Sequence, residues 1–358
     1  MQAKLFFGAV ASLLVLAGNA RADDETCHCT PTGSFAIGAG YNTDDGFGAQ
    51  ASVTQTDLFH MGKLLSLDAM IDAREQRFVM RYSDPEFLGT SLQLDALLFN
   101  DTKHFDGFWH DRVGSQVGLS KLVAPHLKMY GAFVFEHDTD TVDDGITDPN
   151  LQAAGYDVAS LRAGLEYNTL NAPPSGDGGA TRGTRIGSYL EVGSPSLGGE
   201  QYEQFIHTRS YGETHHALVG GLRVNAYGSF ETMDAGENGY LYPGQLLQFD
   251  GSSQLRGYAP NTFGPVDGDG MHTGANMAAF GRVELEHSLF GHSGLSGVAF
   301  LDGGVMANAQ RQGEAAMTTG FGIVWHSPIG PIGGYWAWDK LSGKPSFVFG
   351  VGSMFGQN

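Results

Sequence analysis

The sequence predicts an all-β protein: a 16-stranded antiparallel transmembrane β-barrel of the outer membrane. Three observations point there. An export signal opens the chain. Runs of about ten residues then alternate between apolar and polar side chains. Glycine is abundant, at 53 of 358 residues, and only 16% of residues are charged. That composition suits strands, bends and tight turns better than long helices.

The opening "MQAKLFFGAVASLLVLAGNARA" has the parts of a secretory signal. Lys4 supplies the positive start, an apolar stretch runs from Leu5 to Gly18, and Ala20-Arg21-Ala22 is a small-x-small cleavage site. The apolar run is shorter than the roughly 20 residues a membrane helix needs. Residues 1–22 are therefore expected to be removed, with 23–33 a short periplasmic segment and 34–358 the barrel. Cys27 and Cys29 flank His28 in that segment. A tetrahedral soft-metal site wants four ligands, so the pair reads as an exposed, oxidised tail. Pairing with another chain is the second reading.

The alternation is clearest near the end of the chain. In "SFVFGVGSMF", Phe347, Phe349, Val351, Ser353 and Phe355 share one face, and Val348, Gly350, Gly352 and Met354 the other. In "AMTTGFGIVW", Phe321, Ile323 and Trp325 oppose Gly320 and Gly322. A period of two means strand. Apolar residues facing out and small or polar ones facing in mark an outer-membrane barrel. A soluble sandwich also alternates, but Tyr335, Trp336, Trp338 and Phe355 cluster near strand ends, as membrane-interface girdles do.

In order, strands are expected near 34–42, 46–56, 60–74, 76–84, 89–100, 108–121, 126–137, 158–169, 182–194, 201–212, 215–229, 276–290, 295–307, 316–326, 331–340 and 345–355. An even number puts both termini on the periplasmic side. Odd-to-even connections are then outer loops. The two longest, 138–157 and 230–275, both satisfy this, whereas "GHSG" and "SPIG" fall as short periplasmic turns. "NAPPSGDGGATRG" is long for such a turn. No linker or second domain interrupts the pattern.

The formal net charge of −19 repels polyanions, so nucleic acid is not an expected partner. No catalytic constellation stands out. "GSPSLG" lacks the spacing of a nucleophile elbow, and His215-His216 would point to opposite faces of a strand. Asp138, Asp140, Asp143 and Asp144 are rich in oxygen ligands, but Val142 stands where an EF-hand needs one. The stretch reads instead as a solvated acidic outer loop. The expectation is a non-enzyme without metal or cofactor.

Several segments, in their order, resemble the BamA superfamily of outer-membrane assembly and translocation barrels, which includes the two-partner-secretion transporters. "GYNTDDGFGAQASVTQTDLFHMGKLLSLDAMI" and "RYSDPEFLG" resemble its first hairpins and Asp-Pro turn, here Asp84-Pro85. "QLRGYAPN" resembles the signature of its sixth outer loop, and "FLDGGVM", "GFGIVWHSPIGPI" and "FVFGVGSMF" follow in the family's order. The resemblance covers nearly all of the mature chain.

The resemblance implies a sixth outer loop folded into the lumen, where Arg256 meets an inward aspartate, here Asp302. Chemistry supports that pairing independently. An arginine in a partly desolvated lumen needs a carboxylate, which its planar fork grips bidentately. Asp302 shares a face with Phe300 and Gly304, and a charge on the lipid face would be costly, so that face is the lumen. Glu284 and Glu286 are inward by the same parity. Gly257 would let the backbone turn tightly, and Tyr258 would wedge against the wall. Without these surroundings Arg256 would read as a solvated loop residue.

The last strand resembles the family's C-terminal assembly signal, with Phe347, Phe349 and Phe355, although Gly356-Gln357-Asn358 extend beyond the usual terminal aromatic. The first and last strands would meet at the family's proposed lateral gate. Gly38 and Gly40 on one side and Gly350 and Gly352 on the other would weaken that seam. Equally, these glycines would relieve crowding in the lumen. Family members usually carry periplasmic POTRA modules, and residues 23–33 leave no room for one.

The implied function is protein insertion or translocation at the outer membrane. The implied partners are membrane lipids, an unfolded client and a separate periplasmic POTRA-type or chaperone protein. The alternatives are a passive channel with a loop plug, or a surface-antigen structural barrel.

Overall fold

The computed structural model describes residues 32–146, 153–171, 182–200, 204–236, 239–267, 270–290, 294–310, 312–327, 330–339 and 343–351. The expected signal, Cys27, Cys29, Gly352 and Phe355 lie outside the described residues.

Sixteen strands form one antiparallel barrel: β1 (Gly33–Asn42), β2 (Gly46–Leu58), β3 (Lys63–Ile71), β4 (Glu75–Asp84), β5 (Gln93–Phe105), β6 (Phe108–Ala124), β7 (Leu127–Val142), β8 (Ala154–Asn168), β9 (Gly183–Gly193), β10 (Phe205–Ala217), β11 (Leu222–Ala235), β12 (Met277–Ser288), β13 (Leu295–Ala307), β14 (Gly313–Ser327), β15 (Gly330–Asp339) and β16 (Pro345–Val351). Each strand pairs with its sequence neighbours, and β1 closes on β16. Closure removes the sheet edges that lipid could not satisfy.

Burial follows the period of two. Along β13, Val298, Phe300 and Asp302 are buried inward, while Leu301 is exposed on the outer face. Ile37, Leu98, Val117, Phe133, Leu161, Leu190, Val283, Phe321 and Trp336 extend that exposed apolar face around the barrel. In water such a surface would be a liability; against hydrocarbon it is the stable arrangement.

Four local expectations are corrected. The break expected at 213–214 does not exist. Gly212 sits in mid-sheet across from Ile186 and Gly228, and the chain reverses at Leu218–Gly221. There Gly220 (φ 73°) and Gly221 (φ 81°) supply the positive φ a tight turn needs. His215 and His216 therefore both lie in β10, with His215 buried and His216 exposed. Second, β7 runs on to Val142 because it stays paired with β6 and β8. Asp138 and Asp140 are thus buried lumen residues, not part of a solvated loop. Third, β8 begins at Ala154, so its connection from β7 is shorter than expected. Fourth, Tyr335 is buried and packs against inward Phe300 at 5.8 Å between ring centroids. Among the described residues of that cluster, Trp336 and Trp338 take the outward positions in β15, across from Phe321 and Thr319.

The closing seam is described only as far as Val351 of β16. β1 pairs with β2 from Gly33↔Gln55 to Asn42↔Gly46. Against β16, the described residues pair only at Tyr41↔Val351 and Asn42↔Gly350, with one further bond from Thr43 N–H to the Phe349 carbonyl, 3.1 Å.

Candidate functional site

The connection from β11 to β12 is folded into the barrel. Its apolar residues build a small core: Phe249, Leu255 and Phe263 pack with Ala275, Ala278, Met306 and Ala316, and Tyr258 and Phe280 lie against them. Neighbouring side chains along the chain then diverge. Leu255 is sealed into that cluster, and Arg256 is turned to the wall with only 3% of its surface exposed.

Arg256 is held as a fork. Its Nε donates to Asp302 Oδ2 at 2.8 Å and its Nη2 to Asp302 Oδ1 at 2.7 Å. Its backbone N–H also donates to Asp302 Oδ2, 3.2 Å, and Nη1 donates to Glu284 Oε1, 2.5 Å. The guanidinium lies 3.6 Å from the Phe300 ring centroid and 5.0 Å from that of Tyr335. Burial works against the charge, but the Asp302 hydrogen bonds and the charges of Asp302 and Glu284 hold it on, raising its pKa above the ordinary arginine value. Bidentate geometry and aromatic stacking are what arginine offers and lysine does not.

Gly257 makes the close approach possible. Its φ is +98°, and a Cβ there would lie 2.7 Å from Ser346 Oγ on β16 and 3.0 Å from Ala337 Cβ on β15. The loop therefore presses directly on the last strand. Tyr258 packs edge-on against Phe249 and Phe263; burial and its Asp339 hydrogen bond push its phenol up to about 12. Gly304 sits beneath the Phe280 ring, which a Cβ would meet at 2.7 Å.

The site contains more than the sequence expectation named. Arg282, directly across from Asp302 in register, reaches Asp302 Oδ1 at 3.5 Å. It donates to the carbonyls of Ser252 and Ser253 at 3.0 and 2.9 Å. The alternation that put Glu284 inward also applies to Arg282. Glu286 pairs instead with Arg223, 3.3 Å.

A second set of contacts reaches other parts of the wall. Asp44, between β1 and β2, accepts Ser252 N–H at 2.7 Å and also its hydroxyl. Lys103 meets Asp250 at 2.8 Å, Asp106 accepts His272 N–H at 3.0 Å, and Glu314 accepts Gly264 N–H at 3.2 Å. Asp140 accepts Gly244 N–H at 3.2 Å while bonded to His110 at 2.7 Å, and Tyr242 stacks on Tyr156 at 3.9 Å. No sequence signal foretold that Asp44, Asp106, Asp140 and Glu314 would hold the loop, because each meets a backbone amide far along the chain. Asp143 contacts His104 at 2.9 Å. Among the described residues no cluster of His, Cys, Asp or Glu is arranged for a metal ion.

Among the seam residues, Gly350 lies across from Asn42 and Gly38 and Gly40 pair with Gln50 and Gly48 of β2, while Gly352 and Phe355 lie outside the described residues. Phe347 lies tilted against Trp336, ring centroids 4.8 Å apart, and Phe349 lies 6.5 Å from Tyr41 across the seam.

Comparisons with known proteins agree with this architecture. Over 341 residues the chain is 22% identical to the outer membrane protein assembly factor BamA of Nitratidesulfovibrio vulgaris, covering 90% of this chain but only 42% of that relative's length. Its fold is similar to that of BamA from Haemophilus ducreyi lacking POTRA domains 1–3, with a TM-score of 0.73 at 18% identity, over 90% of this chain and 70% of that one. It is also similar to CdiB from Escherichia coli, with a TM-score of 0.61 at 13% identity over 91% and 64% of the two chains. CdiB from Acinetobacter baumannii gives 0.57 at 12% identity over 89% and 58%. The Omp85 superfamily domain matches residues 57–355, which takes in both the latched loop and its wall, and the chain belongs to the Omp85 superfamily of outer-membrane barrels.

Proposed function

We propose that this barrel inserts proteins into the outer membrane, or moves them across it, through the β1–β16 seam. The observation that carries the reading is how the loop meets that seam. The latched loop touches both of its sides, with Ser252 on Asp44 beside β1 and Gly257 against Ser346 of β16. When the two strands of such a seam part, their freed backbone groups are a template for an incoming strand. The client is an unfolded protein, delivered by a periplasmic POTRA-type or chaperone partner, and the role is not enzymatic. In this orientation the rim where β1 begins faces the periplasm.

The test is a disulfide between cysteines placed at the paired positions 42 and 350. Loss of client insertion on oxidation, regained on reduction, supports the proposal. Full activity with the seam locked overturns it.

A second reading, a passive channel with a plug, draws on the depth of the loop's apolar cluster, with Leu255 and Phe263 almost wholly buried. It requires that ion conductance survive the same crosslink.

A further inference from the structure

The two rims of the barrel differ in what their connections expose. At the rim where β1 begins, the connections expose large apolar side chains: Phe59 and Met61 after β2, Leu88 after β4, Leu218 and Val219 after β10, and Phe290 after β12. Val219, Phe290 and Leu88 are 96, 88 and 82% exposed. In the connections of the opposite rim only Tyr240 and Val266 do so among the described residues. The longest of those connections, from β11 to β12, turns Phe249, Leu255 and Phe263 into the lumen.

These tips continue the membrane-facing surface. On the outward face of β6, Leu119, Lys121 and Val123 follow one another toward this rim, all exposed. Lysine at the edge of an apolar band marks the headgroup level, where its stem lies along hydrocarbon and its ammonium reaches phosphate. Val123 stands roughly 7 Å further out along the strand and is still apolar. Leu218 and Val219, with Ala217 and Leu222, line a shallow hollow under the β10–β11 turn. Apolar tips beyond a lysine suit the zone about 5–10 Å deep at the headgroup–acyl boundary; a water-facing rim would leave them without cover.

We infer that this rim docks into the phospholipid interface, with Phe59, Leu88, Val219 and Phe290 as apolar anchors and Lys121 paired to anionic headgroups. The partner is a lipid leaflet, in place of a soluble protein seated on the turns. The inference rests on the barrel spanning a membrane and is independent of what it transports.

The test uses the full chain with Cys27 and Cys29 replaced by Ser. Val219→Cys, Phe290→Cys, Val123→Cys and the opposite-rim control Val266→Cys each carry a nitroxide, in vesicles of phosphatidylethanolamine and phosphatidylglycerol. Folding is checked by heat-modifiability, and Val123→Cys serves if a turn variant fails to fold. The result expected is that oxygen collides with the labels at 219, 290 and 123 severalfold more than a water-soluble nickel chelate does, with the reverse at 266. Nickel accessibility equal to that at 266 overturns the inference and returns the rim to water. Exclusion of both reagents also overturns it, because a protein would then cover the turns.

Discussion

Arg256 and Asp302 share three hydrogen bonds, two from the guanidinium and one from the arginine's own backbone N–H. The side chain and its peptide thus grip one fully buried carboxylate. Removing one partner of a buried, hydrogen-bonded pair costs about 3–5 kcal/mol, because the other charge is left uncompensated. Arg256→Ala and Asp302→Ala should each lower the urea midpoint of the barrel in vesicles by that order. The double variant should cost far less than their sum. Additivity to within about 0.5 kcal/mol would show that the two residues act separately.

Charge alone should not rescue the site. Arg256→Lys keeps the cation but loses the fork on Asp302, the bond to Glu284 and the flat face 3.6 Å from Phe300. Most of the Arg256→Ala loss should persist in Arg256→Lys, read by the same unfolding curve and by protease sensitivity of the loop. A lysine variant as stable as the parent would remove geometry from the explanation and leave only charge.

Asp44 gives the loop a pH dependence of known sign. Burial is the largest influence on its carboxyl and raises the pKa above the ordinary 3.8, against the lowering effect of its Ser252 hydrogen bonds. The folded state therefore favours the protonated acid. The stability this group contributes is fully present below about pH 3.8 and is lost as pH rises through the raised folded value. Amide exchange at Ser252 should accelerate over that window, and Asp44→Asn should abolish the change. An exchange rate with the same pH profile in both proteins would mean that Asp44 does not govern the loop.

Much of this was legible in the sequence, and particular residues show why. The period of two assigned Phe300, Asp302 and Gly304 to one face, because one face of each strand meets lipid and tolerates no charge. The Arg256–Asp302 pairing needed more than pattern: it rested on family resemblance and on the requirement that a desolvated arginine find a carboxylate. Arg282 was within reach of the parity argument and was missed. Asp44, Asp106, Asp140 and Glu314 were not within reach. Their partners are backbone amides of a loop whose path through the lumen no local pattern encodes. Tyr335 misled because an aromatic near a strand end fits a girdle equally well until register decides its face.

The loop is held on a second wall, and Gly244 tests whether that hold matters. Its N–H donates to Asp140 Oδ2, and a Cβ on it would collide with His110 Nδ1 and Asp140 Oδ1, which are bonded to each other. Both are buried side chains of neighbouring strands, so neither can swing aside cheaply. Gly244→Ala should therefore detach this arm of the loop, and limited proteolysis should cut first near residues 240–248. Arg256 contacts β12, β13 and Tyr335 of β15, whereas Gly244 contacts β6 and β7, so the two sites share no side chain. The Gly244→Ala and Arg256→Ala losses should add to within about 0.5 kcal/mol. If Gly244→Ala instead abolished the coupling between Arg256 and Asp302, the loop would move as one rigid body held at a single latch, and the two-wall account would fall.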